Sequence, residues 1–214
     1  MHTGKKQQKI FCIGFQKTGT TSLGKALEIL GYNVCGPVGV TNPDIDEKAL
    51  IWALERVRRY DAFKDNPWPL LYKELDFLCP GSKFILTTRS PRSWIKSMYR
   101  YFGSYEAAAE VWIYGGVGTP VKNRHRFVKR YKQHNREVRA YFKNRPDDFL
   151  EIDFSKGHDW KEICDFLGDD MPAVPFPRSN KSGSWEAEVQ RHSVGMIGTV
   201  RTVLARLIKP YKTA

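Results

Sequence analysis

The chain has 214 residues, 41% of them hydrophobic and 27% charged, which is enough apolar material for one buried core and gives no sign of a disordered or fibrous chain. Its four cysteines, Cys12, Cys35, Cys79 and Cys164, are scattered, with no C-x-x-C pair and no Cys/His cluster, so neither a disulfide framework nor a zinc site is indicated. Net charge is +12; no apolar run reaches the roughly 18 residues of a membrane span, and the polar start MHTGKKQQK does not read as a secretory signal, so a cytoplasmic chain is expected.

Ile10-Phe11-Cys12-Ile13 is an apolar run too short for a helix and bounded by Gly14, and reads as a buried strand. Leu23, Ala26, Leu27 and Leu30 then follow at helical spacing and stop at Gly31. Between them, Gly14-Phe15-Gln16-Lys17-Thr18-Gly19-Thr20-Thr21 makes a strand-to-helix turn, a place where backbone N–H groups and a helix N-terminus converge on an anion. Gly14 and Gly19 have the spacing of the Walker pattern G-x-x-x-x-G-K-[ST], but Thr20 stands where its lysine belongs, and Lys17 precedes the second glycine. The turn is read as a phosphate- or sulfate-binding loop that departs from the NTPase form.

A short strand is expected near Tyr32–Cys35, a loop over 38–43, and a helix from Asp44 through Val57. Tyr60–Asp65 reads as a short strand that Asn66-Pro67-Trp68-Pro69 must end, because two prolines supply no ladder donors. A helix over Leu70–Leu78 precedes the clearest later strand, Lys83–Arg89, and the helical stretch Ser93–Tyr99 follows it. Arg89 falls at the C-terminal end of its strand, the edge at which α/β sheets bind ligands, and Ser97 lies eight residues further on. Gly115–Pro120 reads as a flexible connector or a lid.

Lys122–Arg145 carries ten Lys or Arg against a single acid, Glu137, and so nine of the net positive charges. Phe127, Val128, Tyr131, Val138, Tyr141 and Phe142 recur through it at helical spacing, the pattern of an amphipathic helix with a solvated basic face. Phe149–Phe154 is a further strand, Trp160–Leu167 a helix, Pro172–Pro177 an extended segment, Arg178–Ser184 a basic loop, and Trp185 onward a terminal amphipathic helix. Strands alternating with helices, with an anion loop after the first strand, predict a single α/β domain over 1–214: three α/β/α layers around a central, mostly parallel, P-loop-like sheet.

Three separated segments together resemble the sulfotransferases that use 3′-phosphoadenosine 5′-phosphosulfate (PAPS). GFQKTGTTSL resembles the family's 5′-phosphosulfate loop, usually K-x-G-T-T or K-S-G-T; TTRSPRSWIKSMY resembles its 3′-phosphate element, an Arg and a Ser eight residues apart; NKSGSW is more loosely similar to the basic loop that closes over the nucleotide. The resemblance covers about residues 9–100 and 145–190. It implies donor binding by Gln16, Lys17, Thr18, Gly19, Thr20, Thr21 and Ser22, by Arg89 and Ser97, and by Lys181, Ser182 and Gly183. It also implies in-line sulfuryl transfer without a metal, Lys17 stabilising the leaving phosphate.

The family takes the acceptor proton with a histidine or carboxylate on a segment ahead of the 3′-phosphate strand. Asp65 is the candidate here, with Lys64 as a helper for the sulfuryl oxygens, although the family's histidine pattern is not kept. His125, His134, His158 and His192 are alternatives, read as surface residues, and Asp153 is read as structural. The acceptor is a small molecule or glycan hydroxyl or amine, anionic acceptors included; the basic helix and nearby Trp94, Tyr99, Tyr101, Phe102, Trp112 and Tyr114 suit either an acidic sugar or an aromatic site. Two other classes stay open: a P-loop kinase using ATP·Mg, and a nucleic-acid-binding protein built on the basic helix, although no nucleic-acid partner is expected. The sequence does not indicate an oligomeric state.

Overall fold

The structure is a computed structural model that describes residues 8–157 and 159–179. Five strands, β1 Ile10–Cys12, β2 Val34–Cys35, β3 Ala62–Phe63, β4 Lys83–Thr88 and β5 Phe149–Asp153, form one sheet in the order β2-β3-β1-β4-β5. Every adjacent pair is parallel, with Ile10 opposite Ala62 on one side and Lys83 on the other. A central parallel strand must be apolar on both faces, which is why β1 reads as an uninterrupted hydrophobic run.

Alternation along the strands sends successive side chains to opposite layers. Ile10, Cys12, Ala62 and Ile85 pack with Leu23 and Leu27 of α1 (Thr20–Ile29) and with Ile163, which precedes Cys164 in the last described helix. Phe11, Phe63 and Phe84 face the other way, onto Trp68 and Phe142, with Phe11–Phe63 centroids 4.9 Å apart and Phe11–Phe84 5.4 Å apart. That layer holds α2 (Ile45–Val57), α3 (Tyr72–Leu78), α4 (Pro91–Phe102), α5 (Ala108–Ile113) and α6 (Arg124–Tyr141). The opposite layer ends in α7 (Lys161–Leu167). This is the three-layer α/β/α arrangement anticipated, with the described sheet wholly parallel.

Local chemistry sets the ends of these elements. Ser90 caps α4 by accepting a hydrogen bond from the Ser93 N–H at 3.3 Å, and Pro91 occupies the first turn, where its missing N–H costs nothing. The predicted helix over Leu70–Leu78 is instead a 3₁₀ turn, Trp68–Leu70, followed by α3, because Trp68 and Pro69 are buried and fold the proline segment into the core. The six-residue α5 was not foreseen. It is too short to show a period, and it is fixed by burial of Ala109, Glu110 and Ile113.

The basic segment does form an amphipathic helix, α6, whose buried stripe is Phe127, Tyr131, His134, Asn135 and Val138. His134 therefore belongs to the core, which corrects its reading as a surface residue, whereas His125 is exposed. Part of the basic excess ties α6 and its C-terminal extension to neighbours: Arg139 pairs with Glu151 at 2.6 Å, and the Arg145 Nη2 donates to Asp76 at 2.8 Å. Among the described residues no helix is long and apolar enough to cross a membrane. His158, His192, Lys181, Ser182, Gly183 and the terminal amphipathic helix lie outside the described residues.

Candidate active site

The loop between β1 and α1 is built by close approach. A Cβ on Gly14 would come within 2.1 Å of Thr87 Oγ1 and 2.4 Å of the Thr87 carbonyl, so only glycine lets the end of β1 lie against β4. Gly19 takes φ 111° at the N-cap of α1, and a side chain there would collide with the Phe154 ring. Lys17 also has positive φ, 69°, unusual for a side-chain-bearing residue and a common mark of functional turns.

Buried groups hold the loop from behind. The Thr18 hydroxyl donates to the Phe15 carbonyl at 2.5 Å, leaving the Thr87 hydroxyl to donate to it at 2.6 Å. Thr18 therefore pins the turn with its side chain and offers the cleft its backbone. Trp94 Nε1 donates to the Gln16 carbonyl at 3.0 Å and stacks on Tyr131, centroids 4.3 Å apart. The Tyr131 hydroxyl in turn accepts from the Arg89 N–H and donates to the Arg89 carbonyl at 2.8 Å. Arg89 Nη1 reaches the Lys17 carbonyl at 3.2 Å. The α1 N-terminus has no side-chain cap and no acid in its first turn, so its amides and dipole suit an anion.

His134 sits beneath the loop, its ring stacked on Phe15 at 4.2 Å and its Nε2 2.8 Å from the Ile13 carbonyl. Burial pushes its pKa down to about 3, so the ring is neutral and Nε2–H is the donor. An unfolded-state histidine titrates near 6.5, so the unfolded chain gains a proton over a pH range in which the folded chain does not. The stability due to neutral His134 is complete above pH 6.5 and falls as pH drops toward 3, by about 1.4 kcal/mol per unit. Urea unfolding between pH 7 and pH 4.5 is expected to show a loss of about 2–3 kcal/mol from this source. In His134→Gln, which keeps the donor, that component disappears, and equal pH slopes for the two proteins would contradict the assignment.

Two cavities meet at the loop. The first, about 500 Å³, is lined by Lys17, Thr18, Gly19, Thr21, Ser22, Arg89 and Ser97, together with Phe154, Ser155, Phe176, Arg178 and Ser179. The fold thus brings together seven of the predicted donor residues from two separate segments. Phe154 and Phe176 were missed, and Arg178 joins them from the start of the loop whose basic, polar composition suits an anion. The two rings stack at 5.5 Å, and Ser179 N–H donates to Ser22 Oγ at 3.0 Å, which draws the segment after α7 across the cleft.

The second cavity, about 350 Å³, is lined by Lys17, Gln16, Thr20, Lys64, Asp65, Tyr101, Phe102, Tyr105 and Glu110, with Pro37, Val40 and Ala107 among its apolar wall. Gln16 and Thr20, predicted for the donor, face this side instead. Lys64 Nζ pairs with Asp65 at 2.7 Å, and the Lys64 stem fills the space that a side chain at Gly24 would need. Asp65 has φ 66°, and Lys17 Nζ lies 3.6 Å from the Tyr101 ring centroid. Tyr101 and Phe102 line the cavity as considered from the sequence, whereas Trp94 and Tyr114 are core residues. No described residue of α6 lines this cavity, so the basic helix is not its wall. Nor does Gly115–Pro120 line either cavity: it connects α5 to α6. Asp153 caps the turn after β5 by accepting from the Ser155 N–H at 3.0 Å. Among the described residues no three His, Cys, Asp or Glu side chains are grouped to hold a metal.

Glu110 is the main addition to the sequence reading. It is 3% exposed, its Oε1 accepts from Gln16 Nε2 at 3.1 Å, and burial pushes its carboxyl up to about 7. The one acid inside the apolar run Ala107–Ile113 was the signal that could have found it.

Comparison with known proteins gives the family. The family described as "Sulfotransferase domain" matches residues 9–185. The "Ava biosynthesis cluster protein M" of Aspergillus versicolor is 25% identical over 245 aligned positions, covering 89% of this chain and 93% of that protein. The crystal structure of mouse sulfotransferase SULT7A1 complexed with PAP aligns with 91% of this chain and 67% of its own, at 20% identity and a TM-score of 0.43. With the family match extending from β1 past the last described residue, the chain belongs to the sulfotransferase domain family.

Proposed function

We propose that the protein transfers the sulfuryl group of PAPS to a hydroxyl or amine of a small acceptor, with the donor in the first cavity and the acceptor in the second. The observation that carries this reading is that Lys17 lines both cavities. A sulfuryl group passing between them would cross at its ammonium. The residues fit the donor in kind: an uncapped helix N-terminus and loop amides for the 5′-phosphosulfate, Arg89 and Ser97 for a 3′-phosphate, and the Phe154 and Phe176 rings for a planar base. The donor supplies the activated sulfur–oxygen bond. Lys17 offsets the charge that grows on the bridging oxygen as that bond breaks and the acceptor–sulfur bond forms, and Asp65 takes the acceptor's proton. Lys64 orients Asp65 through their ion pair. Family membership sets aside the ATP·Mg kinase reading.

Donor discrimination tests the proposal. Wild type is expected to prefer PAPS over adenosine 5′-phosphosulfate, which lacks the 3′-phosphate. Arg89→Ala, which also removes a contact to the Lys17 carbonyl that serves both donors alike, is expected to lose about 10–100-fold more in kcat/KM for PAPS than for the shorter donor, the worth of one charge-assisted contact. Equal use of both donors by wild type would remove Arg89 from the 3′ site, and failure of 3′-phosphoadenosine 5′-phosphate to bind in calorimetry would reject the donor assignment.

A further inference from the structure

Glu110 has no part in the donor binding or transfer step described above, yet it is the most deeply buried of the charged side chains that line the second cavity. Its Oε2 is buried and has no hydrogen-bond partner among the described residues, and the neighbouring Gln16 Oε1 is in the same condition. Two buried acceptors without a donor, on side chains that are hydrogen-bonded to each other through their other atoms, are rare in folded proteins and call for a missing partner. The cations of this cavity do not supply it. Lys64 is engaged by Asp65, and the Lys17 ammonium lies over the Tyr101 ring. Tyr114 presents its hydroxyl to Gln16 Nε2 at 3.4 Å, not to Glu110. The carboxylate therefore lies in an apolar wall, in no ion pair among the described residues, beside rings whose faces attract positive charge.

On the sulfuryl-transfer reading above, we propose that Glu110 determines acceptor specificity by pairing with the ammonium group of a small aromatic amine whose hydroxyl faces Lys17 and Asp65. A cavity of about 350 Å³ suits a ligand of one or two rings. Its rings, Tyr101, Phe102 and Tyr105, suit an aromatic body. An anionic acceptor would set its charge against Asp65 and Glu110, and the exposed basic residues of α6 that favoured such an acceptor in the sequence do not reach this wall. An arriving ammonium supplies the donor that Glu110 Oε2 lacks and favours the ionised carboxylate over its protonated form. The Gln16 amide, held by Glu110 and one residue from Lys17, couples the recognised end of the acceptor to the transfer end.

Three probes of nearly one shape separate the charge from the rest: tyramine, its neutral counterpart para-ethylphenol, and the anionic para-hydroxyphenylpropionate. Binding is measured by calorimetry at pH 7.5, with and without saturating 3′-phosphoadenosine 5′-phosphate, and sulfation is followed in parallel. Tyramine is expected to bind about tenfold or more tightly than para-ethylphenol, and the anion least well. In Glu110→Gln, which keeps the shape and the contact to Gln16, the ratio is expected to fall to about one, while nucleotide affinity is unchanged because Glu110 does not line the donor cleft. Equal affinities for tyramine and para-ethylphenol, or a ratio unaltered in Glu110→Gln, would overturn the proposal. Failure of the nucleotide to bind while the Glu110-dependent preference stands would instead reject the transfer reading and leave the amine site in place.

Discussion

Lys17→Met is expected to lower kcat for sulfuryl transfer on the order of 10²–10³-fold while leaving the fold and the unfolding midpoint nearly unchanged, since one preorganised cation at a developing charge contributes about 3–4 kcal/mol. Methionine retains an unbranched stem and removes only the charge. The loop itself is seated by other groups: Thr18, Trp94 and Arg89 hold it through backbone carbonyls of Phe15, Gln16 and Lys17. Single-turnover rates with bound donor separate the chemical step from binding. A variant with lowered donor affinity but unchanged single-turnover rate would make Lys17 a binding residue and not the transition-state cation. Tyr101→Leu is a useful companion, because the Lys17 ammonium is 3.6 Å from that ring. A modest change there beside a large one at Lys17 would assign the effect to the charge.

The second large effect is structural. Gly14→Ala places a methyl group within 2.1 Å of Thr87 Oγ1 and 2.4 Å of the Thr87 carbonyl. A side chain can rotate away; a carbonyl in the middle of a five-stranded sheet cannot, because β4 is paired on both sides. The expected cost is about 3 kcal/mol, the upper part of the range for overpacking, which for a chain of this size lowers the unfolding midpoint by roughly 10 °C. Thr87→Ser should not restore it, since Oγ1 and the carbonyl both remain. Transfer should fall further than stability, because the Thr18–Thr87 hydrogen bond that seats the loop is the first contact displaced. A midpoint within a degree of wild type would show that β1 and β4 can separate at this point.

The sequence by itself determined what depends on neighbours along the chain. Apolar Ile10–Ile13, the two glycines around Lys17 and the helical repeat after them specify strand, anion loop and helix, because backbone sterics and burial act locally. The same holds for β4 and Arg89 at its end, and for the amphipathic α6. Alternating strands and helices were enough to give the layers, and the separated loop and Arg/Ser motifs enough to give the family.

Only the tertiary structure decided which faces meet. His134 has the same local context as the exposed His125 on the same helix, and its burial follows from the packing of α6 beneath the β1–α1 loop. Gln16 and Thr20 belong to the anion loop in sequence, yet a turn in which Lys17 takes positive φ directs them to the opposite side from Thr21 and Ser22. Glu110 shows no periodic pattern, and its significance comes from enclosure beside Gln16, about ninety residues earlier in the chain. Burial strengthens or penalises a charge according to what surrounds it in space, and that surrounding is assembled from segments whose spacing in sequence carries no record of it.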